Sequence, residues 1–231
     1  MKPKKRRHKK LKKDTLFLLA VFCITTVLLF IILQGIPKET NASNDTIVKG
    51  QMRTQGKNGY DTIFCWGERK YIEYKQNMGS WKNLSYWDNT VETDGCGITA
   101  LSIIASGYGE KVTPKDLRDL YYPHLAGDSI PTALEEDLGI PCSDFIYQSS
   151  YFTVEKVGEH LKQDKPILVC VNNRPDDRWT TASHYLVLLG MDEEQNIYVS
   201  NPNGDRGSAK QSDWYKPSEI LPYIVKGVWI Y

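Results

Sequence analysis

The chain has 231 residues, 41% of them hydrophobic, and its 29 Lys+Arg and 28 Asp+Glu leave a formal net charge of +1. Five scattered cysteines, one of them (Cys23) inside an apolar run, exclude a disulfide framework, although a pair among Cys65, Cys142 and Cys170 stays open. There is no Cys-x-x-Cys or His-Glu-x-x-His spacing and no glycine-rich phosphate loop, so no metal or organic cofactor is expected.

The near-neutral charge conceals a sharp division. Nine cationic side chains fall within residues 1–13, whereas Thr15 to Pro37 carry no charge at all. Residues 1–14 therefore read as a basic cytoplasmic tail and 15–36 as a transmembrane helix, long enough to cross a hydrocarbon core of about 30 Å. The positive-inside rule places the rest of the chain outside the membrane. A cleaved signal peptide is the rival, but its apolar core is normally about 7 to 15 residues and ends in small residues; here the run is longer and meets Gln34-Gly-Ile-Pro-Lys38. Residues 37–58 are polar and aperiodic and read as a flexible stalk. The outer part from residue 38 onward has 20 basic and 27 acidic side chains, a charge of −7, which argues against nucleic acid as partner.

Residues 59–231 suit one compact domain. The first half reads as mainly helical. Gly95-Cys96-Gly97 opens a small, apolar run to Ser106, closed by Gly107, which predicts a buried helix with Cys96 in its first turn. Thr113-Pro114 starts a second helix, Ser129 to Leu138 forms a third closed by Gly139, and Thr153 to Leu161 forms a fourth with Val154, Val157 and Leu161 on one face. Strands follow at Pro166 to Val171, His184 to Met191, Ile197 to Ser200 and Gly227 to Tyr231, with a short helix at Pro217 to Tyr223. The loop Arg174 to Ser183, with its single Trp179, is a candidate for touching substrate or else a solvated hairpin. Trp81, Trp87, Trp214 and Trp229 read as packing residues. The layout is α+β, a helical part bearing the cysteine and a mostly antiparallel sheet bearing His184.

A cysteine at a helix N-terminus meets unpaired N–H groups and the positive end of the helix dipole, both of which favour thiolate. His184, at the mouth of its strand, is the candidate base, and Asn201, at the end of the next strand, the candidate orienting amide.

The segments Tyr74-Lys-Gln-Asn-Met-Gly-Ser-Trp81, Gly95-Cys-Gly-Ile-Thr-Ala-Leu-Ser102, Ser183-His-Tyr-Leu-Val-Leu-Leu-Gly190 and Tyr198-Val-Ser-Asn-Pro-Asn-Gly204 resemble the papain-like cysteine peptidases related to the bacteriocin-processing, double-glycine-leader peptidases. The resemblance spans about residues 70 to 231. It implies a papain-like fold and the catalytic set Cys96, His184, Asn201 and Gln76, the glutamine donating to the oxyanion from a Gln-x-x-x-x-Trp pattern. The leader peptidases proper have this glutamine closer to the cysteine, usually an aspartate in place of Asn201, and often a glycine in place of Ser183.

The function expected is a membrane-anchored thiol hydrolase, a cysteine peptidase or amidase, acting on a peptide, protein or cell-wall peptide outside the membrane. A thiol acyltransferase of the same fold and a catalytically silent surface-binding ectodomain are the alternatives.

Overall fold

The computed structural model describes residues 52–55, 61–125, 127–203 and 211–231, all within the unit Ile47–Tyr231. The expected basic tail 1–14 and transmembrane helix 15–36 lie outside the described residues, as does the stalk 37–58 apart from a strand at Met52–Gln55. Among the described residues no helix is long and apolar enough to cross a membrane.

Three antiparallel strands come first, β1 (Met52–Gln55), β2 (Asp61–Trp66) and β3 (Arg69–Ile72), paired in that order. They correct the reading of the first half as mainly helical, and β1 carries ordered structure into the segment read as stalk. The reason lies in β2 and β3. Phe64, Trp66 and Tyr71 are buried while Glu68 and Lys70 are exposed, and Gly67, at a φ of +54°, makes the tight turn between the strands.

A two-residue ladder, β4 (Ser85–Tyr86) with β5 (Asn89–Thr90), leads into α1 (Val91–Asp94) and then α2 (Cys96–Gly107), the helix expected from the glycine-flanked cysteine. Helix α3 (Pro114–Tyr121) starts at Thr113 in a capping box, the Thr113 side chain accepting from the Asp116 N–H and the Asp116 carboxylate from the Thr113 N–H. The helix expected over 129–138 is a succession of a 3-10 turn (Gly127–Ser129), α4 (Ile130–Thr132) and a π-turn (Ala133–Asp137), stopped by Gly139 at a φ of +63°. Helix α5 (Val154–Leu161) is capped by the Thr153 hydroxyl.

The second half builds one five-stranded sheet from β6 (Ile167–Asn172), β7 (Ser183–Met191), β8 (Ile197–Ser200), β9 (Asp213–Tyr215) and β10 (Ile224–Trp229), with α6 (Pro217–Ile220) before the last strand. The spatial order is β10-β6-β7-β8-β9 and every pairing is antiparallel. Both faces are covered, so β7 is a nearly unbroken apolar run whose alternate residues serve different cores. Val187 and Leu189 join Ile98, Leu101, Ile104 and Leu117 in one cluster, whereas Leu186 and Leu188 join Val157, Leu161, Ile220 and Tyr223 in the other.

Helix α2 is buried from Ile98 to Ala105. Its C-terminal end is gripped by the first sheet: the Ile72 N–H donates to Ser106 Oγ at 2.8 Å and Arg69 donates to the Gly107 carbonyl at 3.2 Å. A Cβ at Gly107 would lie 2.1 Å from the Tyr71 ring, so only glycine lets helix and sheet approach this closely.

Candidate active site

Four expected residues arrive from four different segments. Cys96 is the first residue of α2, His184 the second of β7, Asn201 directly follows β8, and Gln76 follows β3. Because β7 and β8 run antiparallel, the start of one lies beside the end of the other, which brings His184 to Asn201. His184 is 5% exposed and Asn201 wholly buried.

The His184 Nε2 to Asn201 Oδ1 distance is 2.8 Å, and the same Oδ1 accepts the Asn203 N–H at 2.8 Å. Two donors converging on one oxygen fix the orientation of the amide. Since an amide oxygen only accepts, Nε2 must carry the proton, which leaves Nδ1 as the basic nitrogen. Burial, partly offset by the Asn201 hydrogen bond, holds His184 below its ordinary value, with the Lys75 cation adding to the depression. It is therefore neutral at pH 7.

The Cys96 sulfur accepts from the backbone N–H of Tyr185, the residue after His184, and from the N–H of Gly97. Cys96 therefore lies against the backbone at the start of β7, where His184 is the residue before Tyr185. Burial nevertheless pushes the Cys96 thiol up to about 11, outweighing the two N–H donors, and nearby Cys170 and Asp94 oppose the thiolate as well. Burial thus works against the thiolate that the helix N-terminus is expected to favour. Cys65, Cys142 and Cys170 are all unpaired. Burial likewise raises the Cys142 thiol, to about 11.

Gln76 is 3% exposed. Its Nε2 donates to the Glu92 carbonyl at 2.8 Å and lies 3.3 Å from the Thr93 carbonyl, in the segment leading into Cys96. The reverse amide assignment would set Oε1 against two carbonyl oxygens. Its backbone N–H donates to the Pro202 carbonyl at 2.8 Å, so Gln76 bridges the cysteine side and the asparagine side. Trp81, the end of the Gln-x-x-x-x-Trp pattern, donates Nε1 to the Lys75 carbonyl at 2.8 Å and fixes this turn.

A polar cluster that sequence reasoning missed lies behind Asn201. Lys75 Nζ donates to the Asn201 carbonyl and to Ser212 Oγ, each at 2.7 Å, and to Glu73 Oε2 at 3.1 Å. Ser212 Oγ donates to Glu73 Oε2 at 2.7 Å and accepts the Asn201 N–H at 2.8 Å. The available signal was the pair of opposite charges, Glu73 and Lys75, on either side of Tyr74 and directly ahead of Gln76.

A cavity of about 110 Å³ opens at Cys96, walled by Tyr86, Trp87, Leu125, Ile130 and Tyr185, with Asp94 as its charged residue. Gly97 keeps it open, since a Cβ there would touch Ile130 and Tyr185. Trp87, expected to pack in the core or at an interface, is 42% exposed at this rim. Trp179 behaves in the opposite way to a substrate-contacting residue: it is fully buried, donates Nε1 to the Glu219 carbonyl at 2.8 Å and packs edge-on against Tyr215. A wider depression of about 610 Å³ between Val154, Asn196 and Leu221 contains none of Cys96, His184, Asn201 and Gln76. Among the described residues no group of three or more His, Cys, Asp or Glu side chains is arranged to hold a metal ion.

A family model described as Peptidase_C39 like family matches residues 69–221. No curated protein matches the sequence. Among solved structures, a candidate C39-like peptidase from Bacillus anthracis is 14% identical with a TM-score of 0.46, the match covering 71% of this chain and 98% of that one. UfSP from C. elegans is 12% identical with a TM-score of 0.37, covering 78% of this chain and 35% of that one.

Proposed function

Because the chain belongs to the Peptidase_C39 like family, we propose that it is a cysteine peptidase with Cys96 as nucleophile, His184 as base and then acid, Asn201 as the orienting amide and Gln76 as an oxyanion donor. The observation that carries the reading is the 2.8 Å contact from His184 Nε2 to Asn201 Oδ1. It leaves Nδ1 unprotonated and free to take a thiol proton.

With a neutral pair at rest, the thiol proton passes to His184 Nδ1 as Cys96 Sγ attacks the peptide carbonyl carbon. The developing imidazolium is stabilised by its bond to Asn201, and the new negative charge falls on the carbonyl oxygen. Gln76 is held against α1, the short helix ahead of Cys96, by its bond to Glu92. The longer contact, to Thr93 at 3.3 Å, is the one a developing oxyanion would replace. His184 then returns its proton to the leaving amine, and water resolves the thioester by the same steps in reverse order.

The substrate class is peptide or protein, entering beside the apolar, aromatic wall formed by Tyr86, Trp87 and Tyr185. The nine cations of residues 1–13 and the uncharged run after them support a membrane-anchored domain facing outward. That topology favours peptides or cell-wall cross-links outside the membrane over leader peptides met in the cytosol.

A broad thiol-directed activity probe tests the reading. It is expected to label the wild-type chain, to fail with Cys96→Ala, and to label His184→Ala more slowly. Equal labelling of wild type and Cys96→Ala would overturn it.

A further inference from the structure

We propose that Glu73, Lys75 and Ser212 form a positioning cluster that holds Asn201, and through Asn201 the His184 ring, in its working orientation; the inference rests on the peptidase reading of that ring. The hydrogen-bond inventory is the first argument. A lysine ammonium has three donors, and all three of Lys75 are used, on Asn201, Ser212 and Glu73. A serine hydroxyl has one donor and two acceptor sites, and those of Ser212 are likewise filled, by Glu73, Lys75 and the Asn201 N–H.

The second argument is where these bonds end. Both backbone groups of Asn201 terminate in the cluster, the carbonyl on Lys75 and the N–H on Ser212. Its side-chain oxygen terminates on His184. Asn201 directly follows a strand, where the ladder no longer fixes the chain; the cluster takes over that task at the residue that matters for the base. The neighbouring Gln76 N–H to Pro202 bond continues the seam.

The third argument is energetic. The Glu73 side chain is 1% and the Lys75 side chain 17% exposed. A buried ion pair is often no better for folding than apolar groups of the same volume, because desolvation offsets the attraction. What it supplies is a single geometry.

Two variants of the full-length chain in mild detergent test the inference. Ser212→Ala deletes the acceptor of the Asn201 N–H. The double variant Glu73→Gln/Lys75→Met deletes the ion pair without stranding a buried charge. The readouts are the imidazole Nε2–H resonance of His184 in a ¹⁵N-labelled sample, assigned by its loss in His184→Ala, and the rate of Cys96 alkylation by iodoacetamide. Near-UV circular dichroism reports whether each variant folds.

We expect the Nε2–H signal, protected in wild type, to broaden or vanish in both variants, and alkylation to slow about tenfold or more. Ser212→Thr, which restores the hydroxyl, should restore both. Either variant, folded but with wild-type signal and rate, would overturn the inference. If Cys96 of the wild type alkylates no faster than Cys65, Cys142 and Cys170, the peptidase reading fails, and the dependence of the His184 signal on Ser212 still decides the positioning role.

Discussion

Replacing Asn201 with alanine removes one oxygen that two donors share, the buried His184 Nε2–H and the half-buried Asn203 N–H, each at 2.8 Å. A buried donor left without a partner costs about 1–3 kcal/mol of folding free energy, which the His184 Nε2–H incurs in full, whereas the half-buried Asn203 N–H can turn to water and adds less. That is a sizeable share of the roughly 5–15 kcal/mol by which domains are stable. The kinetic effect has a separate origin. The net worth of one such bond, about 1–1.5 kcal/mol, is what biases His184 toward the tautomer with a basic Nδ1. Its loss takes that tautomer from about nine-tenths to about half of the neutral population, which slows proton uptake from Cys96 about twofold, and a freed ring adds to that. Asn201→Asp supplies both acceptors together with an anion, which favours imidazolium and moves the acid limb of the rate profile to higher pH. Iodoacetamide alkylation of Cys96 between pH 5 and 8, with urea denaturation of each variant, measures both effects. A folded Asn201→Ala chain that alkylates at the wild-type rate would refute the tautomer argument.

Gln76→Ala should lower kcat about 10²-fold with little change in KM, as for loss of other oxyanion donors, and Gln76→Glu should be at least as damaging; near-normal turnover in a stable Gln76→Ala chain removes Gln76 from the site. Burial, the largest cause at both residues, holds His184 and His160 below their ordinary value of 6.5. The unfolded chain then protonates first, so stability is full above about pH 6.5 and falls as pH drops from there toward the folded values; a urea midpoint that stays flat or rises from pH 7.5 to 5 contradicts this. Protease added to intact cells should digest or release the domain while residues 1–13 stay protected, and a domain shielded until the cells are broken reverses the orientation.

The local signals in the sequence predicted the local outcomes. Glycines around Cys96 and an apolar run behind it specify a helix start wherever the helix packs, and His184 and Asn201 stand at strand ends because the apolar runs stop there. Their mutual approach then follows from antiparallel pairing. Other features depend on partners far along the chain. Lys75 reads as a solvated surface residue, and nothing nearby announces Ser212, 137 residues away, as its acceptor. Trp179 sits in a polar loop, and its burial is decided by Glu219 and Tyr215. The protonation of Cys96 was equally out of reach: the helix end argues for thiolate, but the surrounding protein that raises the thiol comes from several elements. Strands β2 and β3 were legible in the apolar, aromatic run Ile63-Phe-Cys-Trp66 and the turn at Gly67.

The stacking of Phe64 on Tyr198, with ring centroids 3.6 Å apart, bears on how small a working version of this protein can be made. A fragment trimmed to the family match, residues 69–221, would discard Phe64 together with Trp66, whose indole N–H is anchored on the Leu161 carbonyl at 2.8 Å. It would also cut away β10 and bare the hydrogen-bonding edge of β6, an invitation to strand-to-strand aggregation. Tyr198 lies three residues before Asn201, so the damage from the amino-terminal cut would reach the strand that leads into Asn201. The recognisable stretch and the self-sufficient folding unit therefore have different borders, and a minimal catalytic fragment has to extend past the match at both ends.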